Sequence, residues 1–233
     1  MSEPWYLEFF RGAYQRLYSF EPERSAREAA FAREALNLRA GARVLDLCCG
    51  SGRHLRELHA LGVDRHLPSL RGLAAACAEM RSLPLRSASF DAVVSFFSSF
   101  GYLESDEEDL LALREIGRVL RPAGALFLDL LNREHALAGF VPSLQRLEDD
   151  GTLVVEQRRF DPLSSRLTTS FVMVSPSGER TDSAGHSLRL YTLTELSRLL
   201  ATAGLRLERT CGGFDGEAYS IESVRMIAIA RRA

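Results

Sequence analysis

The chain of 233 residues contains no lysine, so all 29 of its basic residues are arginines. That absence removes a phosphate-loop lysine, a lysine Schiff base and every chemistry built on one. No apolar run approaches the ~20 residues that a bilayer requires. The first residues, Met1-Ser2-Glu3-Pro4-Trp5, lack the basic-then-apolar order of a secretory leader, so a cytoplasmic protein without a membrane partner is expected. Only four cysteines occur (Cys48, Cys49, Cys77 and Cys211), without a CxxC pair, which argues against both a disulfide framework and a zinc site. The five histidines (His54, His59, His66, His135 and His186) show no HxxxH or HxH spacing, so no metal is expected. A net charge of −2 gives no general attraction to a polyanion and points away from nucleic acid.

What remains is a chain with 46% hydrophobic residues, enough for one sizeable core. Trp5, Phe9, Phe10, Tyr14 and Leu17 recur at helical spacing, and Ser25 is a candidate N-cap for a second helix ending near Leu38. Residues 42–47 form a short apolar run entering a glycine turn, as a buried parallel strand does, and residues 54–60 follow as a helix. Residues 88–97 and 124–131 read as two further buried strands around a helix over 107–120 that stops at Pro122. This β-α-β-α-β order implies a parallel sheet with right-handed crossovers. Strands over 152–157, 167–174 and 187–191 are then separated by turns rather than long helices, which predicts an antiparallel insertion. Thr192 with Glu195 predicts a capping box, and strands over 205–211 and 224–230 should close the sheet as a pair. The expected architecture is a single α/β domain over 1–233, Rossmann-like and doubly wound. It has N-terminal helices over 1–40, a small antiparallel lid over 140–191, and an antiparallel last strand.

The segment richest in chemistry is Val44-Leu45-Asp46-Leu47-Cys48-Cys49-Gly50-Ser51-Gly52. A strand ending in an acidic residue, a glycine turn and a helix together suit a nucleotide-like ligand, because glycines let backbone approach it. The third glycine of the dinucleotide fingerprint is missing, so NAD fits poorly. The stretch resembles motif I of the class I S-adenosylmethionine-dependent methyltransferases, with Cys48 in place of the first glycine. The resemblance extends in order through Glu79-Met80-Arg81-Ser82-Leu83-Pro84, the strand at Phe90, Phe97-Ser98-Ser99-Phe100-Gly101-Tyr102-Leu103, the turn after Arg118 and Leu120, and Arg189-Leu190-Tyr191-Thr192. It implies methyl transfer from S-adenosylmethionine to a small-molecule acceptor, on nitrogen, oxygen or carbon. It places Asp46, Cys48, Gly50, Gly52, Asp64, Glu79, Met80 and Phe96 at the cofactor, with Glu79 facing the adenine.

Asp64 follows Asp46 by roughly 18 positions, near the ~20 used by dinucleotide folds, but no apolar strand precedes it. Only about 15 positions separate Asp64 from Glu79, which a helix of ~11 residues and a strand of ~5 would exhaust. The region over 61–79 therefore reads as truncated or as missing residues. Tyr14, Tyr18, Tyr102, His186, Arg189 and Tyr191 are candidates to touch the acceptor, although helical packing or a solvated strand face explains most of them equally well. No catalytic dyad is visible, and in-line displacement at a sulfonium needs alignment more than a base. A homodimer is compatible with the sequence. The competing readings are a cofactor-binding protein with a decayed site, or another Rossmann-like enzyme using NAD.

Overall fold

The computed structural model describes residues 9–10, 14, 17–18, 20–65 and 72–233. Trp5 of the first expected helix and His66 lie outside them. The described elements are α1 (Pro22–Ala35), β1 (Val44–Leu47), α2 (Leu55–Leu58), β2 (Leu61–Asp64), β3 (Ala75–Cys77), β4 (Phe90–Ser95), α3 (Asp106–Val119), β5 (Leu120–Leu131) and α4 (Arg133–Ala138). They continue with β6 (Ser143–Leu147), β7 (Leu153–Asp161), β8 (Arg166–Val174), β9 (Arg180–Arg189), α5 (Leu193–Thr202), β10 (Leu205–Cys211) and β11 (Arg225–Arg232). The chain divides into two compact units: the larger holds Phe20–Ala136 and Tyr191–Ala233, the smaller Met1–Ser19 and Leu137–Leu190.

The larger unit is built on a seven-stranded sheet in the order β10-β11-β5-β4-β1-β2-β3. Strands β1 to β5 run parallel, and β11 runs antiparallel to both β5 and β10. The mostly parallel Rossmann-like sheet and its antiparallel last strand are as the sequence predicts. Its strands are apolar on both faces because helices cover both. On one face Leu113 and Ile116 of α3 and Leu196 and Leu200 of α5 pack with Leu45, Val93, Leu126 and Leu128. On the other, Ala29 and Ala32 of α1 and Leu55 and Leu58 of α2 pack with Val44, Val94, Phe127 and Ile229. Each fully buried leucine or phenylalanine here contributes about 1.5–3 kcal/mol. Thr192 and Glu195 form the expected capping box of α5.

Several local expectations need correction. Ser25 is not an N-cap: α1 starts earlier, with Pro22 in its first turn and Glu21 as N-cap, and Ser25 is buried inside the helix. Proline's fixed φ suits that first position. The helix expected over 54–60 is only the four residues of α2, stopped by His59 in the left-handed region (φ 51). Asp64 does end a strand. Paired between β1 and β3, β2 forms from only Leu61, Gly62, Val63 and Asp64, and its backbone Val63 C=O accepts the N–H of Cys48 and of Cys49 at 2.7 and 3.1 Å. Gly62 is what permits this approach, because a Cβ there would lie 2.7 Å from Cys49 Sγ and 2.9 Å from Leu55 Cδ1.

The smaller unit carries a four-stranded antiparallel sheet, β6-β7-β8-β9. Its core gathers Phe9 and Leu17 with Val154, Phe171 and Met173, and Phe10, Tyr14 and Tyr18 pack at its margin. The edge strand β6 was not anticipated, and β9 starts seven residues before the strand expected over 187–191 and overlaps it at 187–189. Among the described residues no helix is long and apolar enough to cross a membrane.

Candidate functional site

The larger unit brings the glycine turn, β2 and the loops after β3 and β4 to the C-terminal ends of parallel strands, where open α/β sheets bind their ligands. Asp46 stands beside Val94 of β4 and Gly62 of β2 in the sheet register. Its side chain is buried, and Oδ2 has no hydrogen-bond partner. Burial pushes the Asp46 carboxyl up to about 8; the Asp64 charge adds to this, and the Arg53 charge opposes it. A buried carboxylate oxygen left unpaired costs stability, so its retention at the glycine turn points to a cationic or hydrogen-bonding ligand.

The turn itself runs left-handed at Cys48 (φ 61), Gly50 (φ 53) and Gly52 (φ 75). Cys48 therefore matters for its backbone and not for the bulk of its side chain, because left-handed φ costs an L-residue about 1–2 kcal/mol. Cys48→Gly is expected to stabilise the protein by up to about 1 kcal/mol in denaturant titrations. A destabilised variant would show instead that thiol packing outweighs the strain. Burial and the charges of Asp64 and Asp46 push the Cys48 thiol well above its ordinary range, so it is no nucleophile. Asp64 accepts the Gly50 N–H at 2.9 Å, which ties the end of β2 to the turn.

Glu79 pairs with Arg65 and accepts from Arg81 Nε at 3.2 Å and Nη2 at 3.1 Å. Burial would raise its carboxyl, but the Arg81 hydrogen bonds and the Arg65 charge hold it below the ordinary range. Met80 packs at the margin of the main core. Phe96 is buried, with the His54 ring stacked on it at 3.9 Å and Phe127 at 5.4 Å. Phe100 is likewise in the core, whereas Phe97 and Tyr102 are half-buried. His54 packs rather than caps, because its ring pairs with Glu28 and makes no cap hydrogen bond.

Tyr191 lies in the main core of the larger unit and donates to Asp109 Oδ2 at 2.7 Å and Asp106 Oδ1 at 3.0 Å on α3. Burial and these two carboxylates raise its phenol, so it serves as an anchor for α3. In the smaller unit, His186 is half-buried with its ring 5.0 Å from Phe9 and 6.1 Å from Phe171, and burial lowers its pKa to about 4. The Tyr14 and Tyr18 rings meet at 5.1 Å with their planes tilted by 43°, and burial with the Glu156 charge pushes the Tyr18 phenol up to about 12. Arg189 is buried and donates to the Leu190 carbonyl at 2.8 Å.

Two groupings in the larger unit escaped the sequence reading. Glu28 on α1 accepts from Arg24 Nε at 2.8 Å, pairs with Arg53, and meets His54 Nε2 at 3.0 Å. Burial would raise its carboxyl; hydrogen bonds from His54 and Arg24 and the Arg53 charge override that and hold it at about 2. At the end of β5, Asp129 accepts from Phe97 N–H at 2.7 Å and from Arg225 Nε at 2.6 Å. It thereby holds Phe97 (φ 54) and Ser98 (φ 57) in a left-handed turn after β4. A lone acidic residue inside an apolar strand was the available signal for Asp129, and the position directly after Gly52 was the signal for Arg53. Among the described residues no group of three or more His, Cys, Asp or Glu side chains could hold a metal ion.

Comparison with known proteins gives this geometry a context. The methyltransferase domain family matches residues 45–128. The chain is 28% identical over 209 residues to the cypemycin N-terminal methyltransferase of a Streptomyces species, covering 82% of this chain and 84% of that one. It is 28% identical over 193 residues to the Streptomyces venezuelae dTDP-3-amino-3,4,6-trideoxy-alpha-D-glucopyranose N,N-dimethyltransferase, covering 76% of this chain and 81% of that one. Its fold is similar to that of CalS10, an amino pentose methyltransferase of Micromonospora echinaspora solved with S-adenosylmethionine bound. The TM-score is 0.68 at 22% identity, with 100% of each chain covered.

Proposed function

We propose that the chain is a class I S-adenosylmethionine-dependent methyltransferase, as its match to the methyltransferase domain family over residues 45–128 supports, and that it methylates an amine nitrogen of a small-molecule acceptor. The buried, unpaired carboxylate of Asp46 at the glycine turn carries the cofactor half of this reading. The acceptor half is supported by the two relatives, whose names describe methylation of an N-terminus and of an amino sugar. The net charge of −2 supports an acceptor that is not a nucleic acid.

The residues fit the cofactor. Asp46 would take its positive end, Cys48, Gly50 and Gly52 would let backbone approach it, and Asp64, Glu79 and Met80 would line the ribose and adenine side. Phe96 would act from beneath, as the floor under His54. When bound, the cofactor supplies a methyl group on a sulfonium whose leaving group is already activated. The protein's share is then to align the acceptor and exclude water, which can supply much of the acceleration. For the acceptor, Tyr102 is the half-buried candidate of the larger unit, and Tyr14, Tyr18, His186 and Arg189 are the candidates of the smaller one. Tyr191 is better assigned to holding α3.

The test is a screen of small amines, carboxylates and phenols with methyl-labelled S-adenosylmethionine, beside calorimetry with S-adenosylhomocysteine and NAD. Label in amines, S-adenosylhomocysteine binding and no NAD binding are expected. Label confined to carboxylates or phenols overturns the amine acceptor, and failure to bind S-adenosylhomocysteine overturns the whole reading.

A further inference from the structure

The loop after β4 holds a backbone conformation that its residue types do not favour. Phe97 (φ 54) and Ser98 (φ 57) both stand in the left-handed region, where a bulky L-residue is an outlier. Asp129 keeps them there: its carboxylate accepts the Phe97 N–H at 2.7 Å, and its backbone carbonyl accepts the Ser98 N–H at 2.9 Å. Strain maintained in this way gathers at ligand sites, and here it places the Phe97 ring. That ring meets Phe20 edge-on at 4.7 Å, and both stay half-buried.

A guanidinium lies on this aromatic pair. Arg24 Cζ stands 5.3 Å from the centre of the Phe20 ring and 5.8 Å from that of Phe97, within cation–π range of both. Its Nε donates to Glu28 Oε1 at 2.8 Å, and Glu28 is ionised at pH 7 because its carboxyl is held at about 2. One carboxylate and two rings therefore fix the guanidinium, yet the side chain remains 47% exposed. Its Nη1 and Nη2 make no hydrogen bond among the described residues. Arg53, the other guanidinium on Glu28, differs: its Nη1 is occupied by Ser25 and Glu28, and its charge acts on Asp46. The fork with open donors is that of Arg24. It lies beside the loop that follows β4, the sheet neighbour of the strand carrying Asp46.

We propose that Arg24, seated on Phe20 and Phe97, is an anion subsite for the acceptor: the amine to be methylated also carries a carboxylate or phosphate group, which the open edge of this guanidinium binds. A planar fork suits either group, because both accept two parallel hydrogen bonds from it. Holding the fork in advance reduces the ordering that binding costs. The inference rests on the methyl-transfer reading.

The probes are inorganic phosphate and acetate, titrated by NMR into the protein with and without saturating S-adenosylhomocysteine. At least one should bind saturably to the S-adenosylhomocysteine complex, and which of them does so tells a phosphate-bearing acceptor from a carboxylate-bearing one. Arg24→Met should weaken that anion roughly ten- to a hundredfold, while S-adenosylhomocysteine binds as to the wild type. Arg24→Lys, which keeps the charge but not the fork, should lose less, and it serves as the readout should the methionine variant fail to fold. No saturable anion binding, or equal binding by the wild type and both variants, overturns the proposal. Anion binding that S-adenosylhomocysteine blocks would give Arg24 to the cofactor and overturn it too, as would label confined to amines without an anionic group. A wild-type protein that does not bind S-adenosylhomocysteine would instead refute the cofactor reading beneath it.

Discussion

Asp46→Asn should stabilise the ligand-free protein at pH 8 while weakening S-adenosylhomocysteine binding by about a hundredfold or more. The two effects have one origin. With its carboxyl raised to about 8 from an ordinary value of 3.8, Asp46 binds a proton more tightly in the folded than in the unfolded chain. The folded state thus holds more protons between about pH 4 and pH 8, and stability falls as pH rises through that window. Asparagine removes the buried charge, so the variant should gain on the order of 1–3 kcal/mol over the wild type at pH 8 and nothing near pH 4. His54 and His186, both lowered by burial, make stability rise with pH over part of the same range. They do so in both proteins, so the difference between the two denaturation curves isolates Asp46. A cationic ligand requires the ionised carboxyl, so its binding should tighten towards pH 8 and release a proton, visible as a buffer-dependent enthalpy in calorimetry. A variant less stable at pH 8, or binding that ignores both pH and the substitution, would sink the assignment.

The parts of this protein that the sequence made legible are those set by local chemistry. The runs that became β1, β4 and β5 are apolar because both faces of a parallel sheet are covered, and Thr192 with Glu195 announces α5 within four positions. Asp46, Gly50 and Gly52 are legible for the same reason, since strand, turn and glycine follow one another. The short strand β2 was not legible, because a four-residue strand with glycine inside it has little intrinsic preference and exists through pairing with β1 and β3. The edge strand β6 has mostly exposed side chains and so shows no burial pattern. Asp64 looked unsupported because the contact that fixes it, the Gly50 N–H, lies 14 residues away. The clusters around Glu28 and Asp129 were harder still. Glu28 meets Arg53 across 25 residues and Asp129 meets Arg225 across 96, and no motif encodes such distances.

The Asp129 cluster should give the larger stability effect of any surface-remote change at this end of the sheet. Asp129 is buried and Arg225 nearly so, with side-chain exposures of 3% and 16%. The same carboxylate receives the Phe97 N–H, and Arg225 Nη2 reaches Ser98 Oγ at 2.9 Å. Asp129→Ala removes the acceptor for all of this except the serine contact. It leaves a guanidinium and a backbone N–H without their partner in a region that water barely enters. Breaking a buried pair from one side costs about 3–5 kcal/mol, and the left-handed turn at Phe97 and Ser98 loses the group that over-determines it. Replacing both partners is the sharper comparison. Asp129→Ala combined with Arg225→Met leaves no stranded charge, so the double variant should be more stable than Asp129→Ala alone, with a coupling energy on the order of 1–3 kcal/mol. Denaturant midpoints of the four proteins measure this directly. If the two single losses simply add, Asp129 and Arg225 are not coupled, and the turn after β4 owes its shape to the packing of Phe97 against Phe20 at 4.7 Å instead.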